Sequence, residues 1–309
     1  MTAAASPPAP AAGAAPPIVT TRGLGKVYAG VTALADVDLV VPRGAVYGLV
    51  GPNGAGKTTL LSILVGLRQA TSGSVDLAVG PERVALVPDT PSFEPWLTAR
   101  EVVALARSLV GLAPSAEAVS SALRLTRLAD AADRACGGFS RGMLQRLGLA
   151  AAMVGEPTLL VLDEPAAALD PAGRRDVLDL VADLRGRTTV LFSSHILADV
   201  QQVCDTIGIL RGGRLLFQGP TRDLLAGKAA PAFTVRLRQP LDGVVAALEA
   251  AHWVHVVERD GLDRLRVTVA SVDLAESELV RTLADAGARV VGIAPAEVDL
   301  EHVFLELTG

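Results

Sequence analysis

A glycine-rich segment, residues 51–58, constrains the fold of this 309-residue chain more than any other stretch. It reads Gly-Pro-Asn-Gly-Ala-Gly-Lys-Thr, follows an apolar run at residues 46–50 and precedes another at residues 60–67. These runs predict a buried strand before the glycines and a helix after them. Glycines in such a turn let backbone amides curve around an anion without collision from β-carbons. The pattern predicts an α/β fold that binds phosphate between a strand and a helix.

The polar residues of this loop have separate tasks in binding a nucleoside triphosphate such as ATP. Lys57 is predicted to reach the β- and γ-phosphates, and Thr58 to offer its hydroxyl to Mg²⁺. The alternative is a glycine turn that contains a lysine by chance, but only three residues of the chain are lysines. The spacing is therefore interpreted as a Walker A motif. The residues predicted to bind the nucleotide are Gly51, Asn53, Gly54, Gly56, Lys57, Thr58 and Thr59.

Two adjacent acids end a second apolar run, at residues 158–165, which reads Thr-Leu-Leu-Val-Leu-Asp-Glu-Pro. In α/β sheets, sites are built where parallel strands end, so this pair is interpreted as a Walker B motif. Asp163 is predicted to hold Mg²⁺ through water, and Glu164 to polarise the attacking water as a general base. The alternative is a pair of acids in a solvated loop.

A third motif, at residues 139–146, reads Phe-Ser-Arg-Gly-Met-Leu-Gln-Arg. Together with the two Walker elements it resembles the ATP-binding subunits of ATP-binding-cassette (ABC) transporters, whose signature is usually written L-S-G-G-Q. The resemblance covers residues 18–219. It implies that Ser140 and Gly142 contact the ATP held by a second subunit, because in the family each signature closes on the nucleotide of its partner.

Three shorter matches extend the resemblance. Residues 168–170 look like the D-loop, and His195 looks like the switch histidine that donates a hydrogen bond to the γ-phosphate or the attacking water. Tyr28 lies where the family stacks an aromatic ring on adenine. Taken alone, Tyr28 would be interpreted as a half-buried strand residue and His195 as a loop histidine. The resemblance gives both a role in the site.

The chain departs from the family pattern at two places. Asp89 stands where the family usually has a glutamine that couples magnesium and water to the permease. It is shorter and charged, and its carboxylate is a candidate Mg²⁺ ligand. The signature carries Phe139, Arg141 and Met143 in place of Leu, Gly and Gln. Ser140 and Gly142 remain, and hydrolysis is expected to survive.

The predicted organisation has three parts. Residues 1–17, nearly all Ala, Pro, Ser and Gly, are expected to be a disordered tail. Residues 18–227 are expected to form the P-loop NTPase cassette, with antiparallel β and helical subdomains. After a break, residues 231–309 follow the order β-α-β-β-α-β, which predicts a small ferredoxin-like α+β domain, and residues 300–307 a last helix. Seven basic and 13 acidic residues give this domain a net charge of −6.

Composition limits the partners. The whole chain has a net charge of −5 and is 3% aromatic, which disfavours nucleic acid as a partner. No stretch approaches the roughly 18 uncharged apolar residues of a spanning helix. The two cysteines, Cys136 and Cys204, lack the spacing of a zinc site or disulfide framework. The chain is expected to stay in the cytoplasm, and the family resemblance implies a position on the inner face of the cell membrane.

The family resemblance implies the function. Two such chains, as a homodimer or heterodimer, would bind two ATP molecules between them and drive a separate membrane permease. The C-terminal region looks like the small domain of drug- and lipid-exporting members, which favours export. Two alternatives stay open: a soluble ATP-driven machine acting on DNA or ribosomes, and an ATP-gated binding module that does not hydrolyse.

Overall fold

The computed structural model describes residues 16–167, 169–228, 231–238 and 242–296. The chain divides into two compact units, with the division along the sequence between Thr221 and Arg222. The predicted tail lies outside the described residues except for its last two, and the predicted helix at 300–307 lies wholly outside them.

The first unit contains two sheets. In the larger sheet the strand order is β10-β9-β4-β8-β7-β6, and every neighbouring pair is parallel except β10 with β9. In the smaller sheet, β1 pairs antiparallel with β2, β3 and β5. The strands are β1 (Val19–Tyr28), β2 (Val31–Val37), β3 (Val40–Val41), β4 (Val46–Val50), β5 (Ser72–Leu77), β6 (Val84–Val87), β7 (Leu159–Leu162), β8 (Thr189–Ser194), β9 (Thr206–Arg211) and β10 (Arg214–Pro220).

The helices of the first unit follow the strands or form a separate cluster. They are α1 (Lys57–Leu64), α2 (Ala99–Leu109), α3 (Ala116–Leu125), α4 (Arg141–Met153), α5 (Pro171–Asp183) and α6 (Leu197–Val203). Helices α2, α3 and α4 pack on one another through an apolar cluster of their own. The parallel sheet, antiparallel sheet and helical part predicted for the cassette are thus confirmed.

Local backbone chemistry determines where strand β4 ends and where helices α2 and α4 begin. Strand β4 is buried at every position, as expected for a strand covered on both faces, and the glycine loop ends it. Helix α2 begins with a capping box in which Thr98 accepts from the backbone of Glu101 and Glu101 accepts from the backbone of Thr98. Helix α4 begins at Arg141 and is capped by Ser140, whose hydroxyl accepts a bond from Met143 N. The sequence predicts both starts, since Thr98 and Glu101 have the spacing of a capping box and a further helix is expected after Ser140.

Among its described residues, the second unit contains an antiparallel sheet and helices, and α7 (Thr221–Lys228) lies at the division along the chain. Its sheet order, β12-β13-β11-β14, with every neighbouring pair antiparallel, is the ferredoxin-like arrangement predicted from the element order. Its core includes Trp253 and Leu265. The elements are β11 (Ala232–Arg238), α8 (Asp242–Glu249), β12 (Val254–Arg259), β13 (Arg264–Val269), α9 (Val272–Asp285) and β14 (Arg289–Pro295).

Candidate nucleotide-binding and catalytic site

Three neighbouring parallel strands of the first unit carry the candidate site at their carboxyl ends. Strands β4, β8 and β7 are adjacent, and the segments that follow them contain Lys57, His195 and Glu164 respectively. Because parallel strands end at the same sheet edge, residues far apart in sequence meet there. The sequence motifs therefore converge at the carboxyl ends of these strands.

The loop between β4 and α1 needs glycine at two positions for steric reasons. A β-carbon at position 51 would lie 2.1 Å from the carbonyl oxygen of Leu210. At Gly56, φ is 105°, in the left-handed region, and a β-carbon would lie 2.6 Å from the carbonyl oxygen of Ala33. The loop then leads directly into α1, whose first backbone amides have no partner within the helix. This arrangement suits an anion at the helix start.

The Lys57 side chain is buried and makes three polar contacts. Its Nζ donates to the carbonyl oxygens of Gly51, at 2.6 Å, and Pro52, at 3.3 Å. It also forms an ion pair with Glu164 Oε1 at 3.1 Å. A buried ammonium must be paired to avoid a large desolvation penalty. The loop backbone and the acid together hold Lys57 over the glycine turn.

Glu164 joins Lys57 to His195. Its other oxygen, Oε2, lies 2.8 Å from His195 Nδ1 and accepts a weaker bond from the His195 backbone at 3.3 Å. Glu164 adopts φ 48°, a left-handed conformation that is uncommon outside glycine and recurs at functional sites. The carboxylate is thus fixed by a lysine on one side and a histidine on the other.

Asp163 is bound through a residue that the sequence analysis missed. Ser193, fully buried at the end of β8, donates to Asp163 Oδ1 at 2.6 Å and accepts from the Glu164 backbone N–H at 2.9 Å. The β-branched and apolar run at residues 188–192 predicts a buried strand there, whereas β8 runs from Thr189 through Ser194. Every position of β8 is buried, so no alternation of polar and apolar residues marks Ser193, and its role depends on the contact with Asp163.

The sequence analysis also missed an ion pair near His195, formed by Arg174 and Asp199. Asp199 on α6 is buried, and Arg174 on α5 donates to its Oδ1 at 2.6 Å. Burial raises the pKa of the Asp199 carboxyl, and the Arg174 guanidinium opposes that change. The pair ties α5 to α6, the helix that begins just after His195.

The other predicted nucleotide ligands form no hydrogen bond or ion pair with this cluster among the described residues. Among the described residues, no hydrogen bond or ion pair links Tyr28 or Ser140 to Lys57 or Glu164. Tyr28 is half-buried at the end of β1, with Lys26 Nζ 4.9 Å and Arg68 Cζ 5.5 Å from its ring centre. Asn53, Gly54, Thr58 and Ser140 are exposed, while Thr59 and Gly142 are half-buried.

Asp89 and the described part of the predicted D-loop also lie in the first unit. Asp89 is exposed just after β6 and lines a cavity of about 170 Å³ together with Glu164. In the predicted D-loop, Ala168 lies outside the described residues, and Asp170 caps α5 by accepting from Gly173 N at 3.1 Å. The oxygen donors predicted for Mg²⁺, on Thr58 and Asp163, are a hydroxyl and a carboxylate. These are ligands that the ion prefers, since it takes few protein groups beside substrate phosphates.

No helix within the part of the chain that the structure describes is long and apolar enough to cross a membrane.

The fold and the motif-bearing sheet edge define an ABC ATP-binding cassette, and comparisons with known proteins agree. The family model described as ABC transporter matches residues 34–167. The bacitracin transport ATP-binding protein BcrA of Enterococcus faecalis is 32% identical, with 94% of this chain and 96% of that protein covered. The chain therefore belongs to the ABC transporter family, as an ATP-binding subunit.

Other relatives and solved structures extend the comparison. The daunorubicin/doxorubicin resistance ATP-binding protein DrrA of Streptomyces peucetius is 33% identical over 94% of this chain and 92% of its own length. A solved ATP-binding subunit of an ABC transporter superposes with a TM-score of 0.60 at 32% identity, covering 67% of this chain and 91% of that one. The first of these similarities extends well beyond the cassette.

Proposed function

We propose that this chain binds ATP with Mg²⁺ and hydrolyses it to drive export of a drug-like or lipidic compound through a separate membrane permease. The observation that supports the proposal most directly is the Lys57–Glu164–His195 cluster, with contacts of 3.1 and 2.8 Å at the carboxyl edge of the parallel sheet. The cluster joins a phosphate-binding cation, a carboxylate base and an orienting histidine.

Lys57 and the glycine loop have the binding role in this proposal. The loop amides and the first turn of α1 receive the phosphates, with Gly51, Asn53, Gly54, Gly56, Thr58 and Thr59 around them. Phosphate oxygens compete with Glu164 for the Lys57 ammonium, so nucleotide binding frees that carboxylate for chemistry. Tyr28, half-buried at the end of β1, offers its ring face to the adenine.

Glu164 and His195 carry the chemical step. A water attacks the γ-phosphorus, Glu164 accepts the proton of that water, and ADP leaves with the bond to the γ-phosphate broken. His195, whose Nδ1 contacts Glu164, orients the base and offers a hydrogen bond to the γ-phosphate or the water. Thr58 and Asp163 would hold Mg²⁺, with Asp89 as a further candidate ligand, and the ion supplies charge neutralisation.

Ser140 and Gly142 act on the nucleotide of a second subunit. Ser140 is exposed at the start of α4, where backbone amides and a hydroxyl suit a γ-phosphate. The chain has one glycine loop and one signature, so we infer that a homodimer or heterodimer forms the working unit. Association with the permease would place the subunit on the cytoplasmic face of the membrane.

Export is supported by the relatives. Those named for bacitracin transport and daunorubicin resistance align with 94% of this chain. We infer a cargo of similar chemistry, an amphiphilic compound that partitions into membranes.

Reconstitution tests this proposal. The chain would be placed in liposomes with a candidate multi-helix permease, and ATP hydrolysis measured with and without bacitracin or daunorubicin. Stimulation that disappears when the membrane protein is omitted supports a transport subunit. Unchanged hydrolysis in every combination would contradict the coupling to export.

A further inference from the structure

Two of the residues that depart from the family pattern, Asp89 and Arg141, line the same cavity. It has a volume of about 170 Å³ and lies entirely within the first unit. Asp89 follows β6, and Arg141 is the first residue of α4. Glu164, which follows β7, lines the cavity as well. Asp89 and Arg141 are distant in the sequence, yet both line a cavity beside Glu164, the proposed base.

These two residues carry opposite charges. Asp89 in place of glutamine adds a negative charge to the cavity that the Glu164 carboxylate also lines. Arg141 in place of glycine adds a positive charge to the same cavity. Neither Asp89 nor Arg141 has an ion-pair partner within 4.0 Å among the described residues. The cavity thus holds these two side chains of opposite charge, neither of which is paired with another of the described residues.

A third residue, Gln145, lines this cavity and carries a buried donor without a partner in the described part of the chain. It lies one turn after Arg141 on α4, is 3% exposed, and its Nε2 has no hydrogen-bond partner among the described residues. Buried amide groups are nearly always hydrogen-bonded, so this donor calls for an acceptor. The carboxylates of Asp89 and Glu164 face the same space, which is large enough for a few water molecules at roughly 30 Å³ each.

We propose that Asp89, Arg141 and Gln145 are positioning residues for hydrolysis at Glu164. Arg141 balances the charge of Asp89, and the Gln145 amide orients water in the cavity in place of the amide that position 89 lacks. This proposal rests on the proposed ATP hydrolysis and deepens it. It assigns to α4 a task within its own subunit, distinct from the contact of Ser140 with the partner's nucleotide.

A double-mutant cycle tests the charge compensation. Asp89→Gln, Arg141→Gly and the double variant would be compared in steady-state ATP turnover. Each single change is expected to lower kcat roughly fivefold, and the double variant to recover to within about twofold of the wild type. Arg141→Lys, which keeps the charge, should retain most of the turnover. Multiplied losses in the double variant would overturn the pairing.

A matched control and a second readout keep this test decisive. Asp130 is also exposed but lies outside the cavity, so Asp130→Gln combined with Arg141→Gly should give simply multiplied effects. If the wild type itself turns over no ATP, the proposed function fails. The thermal unfolding midpoints of the same four proteins then show whether Asp89 and Arg141 are coupled. Additive shifts in the midpoint would contradict the pairing.

Gln145→Leu separates a positioning role from a structural one. The change removes an unpaired buried amide, so the melting temperature should stay the same or rise. Turnover should nevertheless fall about tenfold with little change in the KM for ATP. Unchanged turnover, or a loss that follows a fall in stability, would overturn the role of Gln145.

Discussion

The two units of this chain use their sheets differently. In the first unit, strand β7 is buried at all four positions, as is typical of a parallel sheet covered on both faces. In the second, β13 alternates buried with more exposed positions, as is typical of an antiparallel sheet with one open face. A parallel sheet gathers the loops after its strands at one edge, so polar side chains from distant motifs meet. The chemistry of the chain is concentrated at that edge.

Replacing Lys57 should have the largest effect and act on the first unit alone. Lys57→Ala removes the buried ammonium that faces the phosphates, so ATP affinity should fall by at least about a hundredfold. Isothermal titration with Mg-ATP measures the loss. Lys57→Arg is the matched control, because it keeps the charge but changes the geometry, and should bind with intermediate affinity. Wild-type affinity in Lys57→Ala would place the nucleotide elsewhere.

Trp253→Ala should damage the second unit and spare the site. Trp253 is 3% exposed in the apolar core of that unit, and truncation of such a residue costs about 3–5 kcal/mol. Chemical unfolding, read by far-ultraviolet circular dichroism, should show an early transition. ATP binding, measured at low denaturant, should persist. If ATP binding were lost when the second unit unfolds, the two units would not be separable in function.

Most of the fold and of the candidate site could be predicted from the sequence, but several long-range contacts could not. The glycine loop, the acid pair and the capped helices could be predicted because each depends on local backbone chemistry. Ser193 was missed because the predicted strand stopped at residue 192, and its role depends on contact with Asp163 across two strands. The shared cavity of Asp89 and Arg141 was missed for the same reason, since their segments are distant in sequence. Long-range contacts are the part that local patterns do not encode.

Ser193→Ala should lower turnover moderately. The change leaves Asp163 and the Glu164 backbone N–H without their partner, and we expect kcat to fall about tenfold. Ser194→Ala is the neighbouring control, because the Ser194 hydroxyl bonds instead to the backbone of Ile196. Equal effects of the two changes would argue against a specific role for Ser193.

Thr98→Ala should have the smallest effect, a loss of about 1 kcal/mol in the free energy of unfolding. The pKa of Glu101 is lowered by bonds from the backbone and then the side chain of Thr98. A lowered folded-state pKa stabilises the protein above the unfolded-state pKa, and that contribution is lost as the pH falls through the folded-state value. The difference between Thr98→Ala and the wild type should therefore shrink in acid.

The second unit offers the matched control for this cap. Ser271 caps α9 by accepting from Leu274 N, with no carboxylate in the position of Glu101. Ser271→Ala should cost a similar amount of stability with no such change in acid. The same pH dependence at both caps would contradict the role assigned to Glu101.

ATP turnover by Glu164→Gln, compared with the wild type, tests the central claim most directly. The account predicts that both proteins bind Mg-ATP with affinities within a few-fold of each other, and that turnover in the variant falls by at least about a hundredfold. Wild-type turnover in Glu164→Gln, or a folded wild-type protein that binds no Mg-ATP, would contradict it.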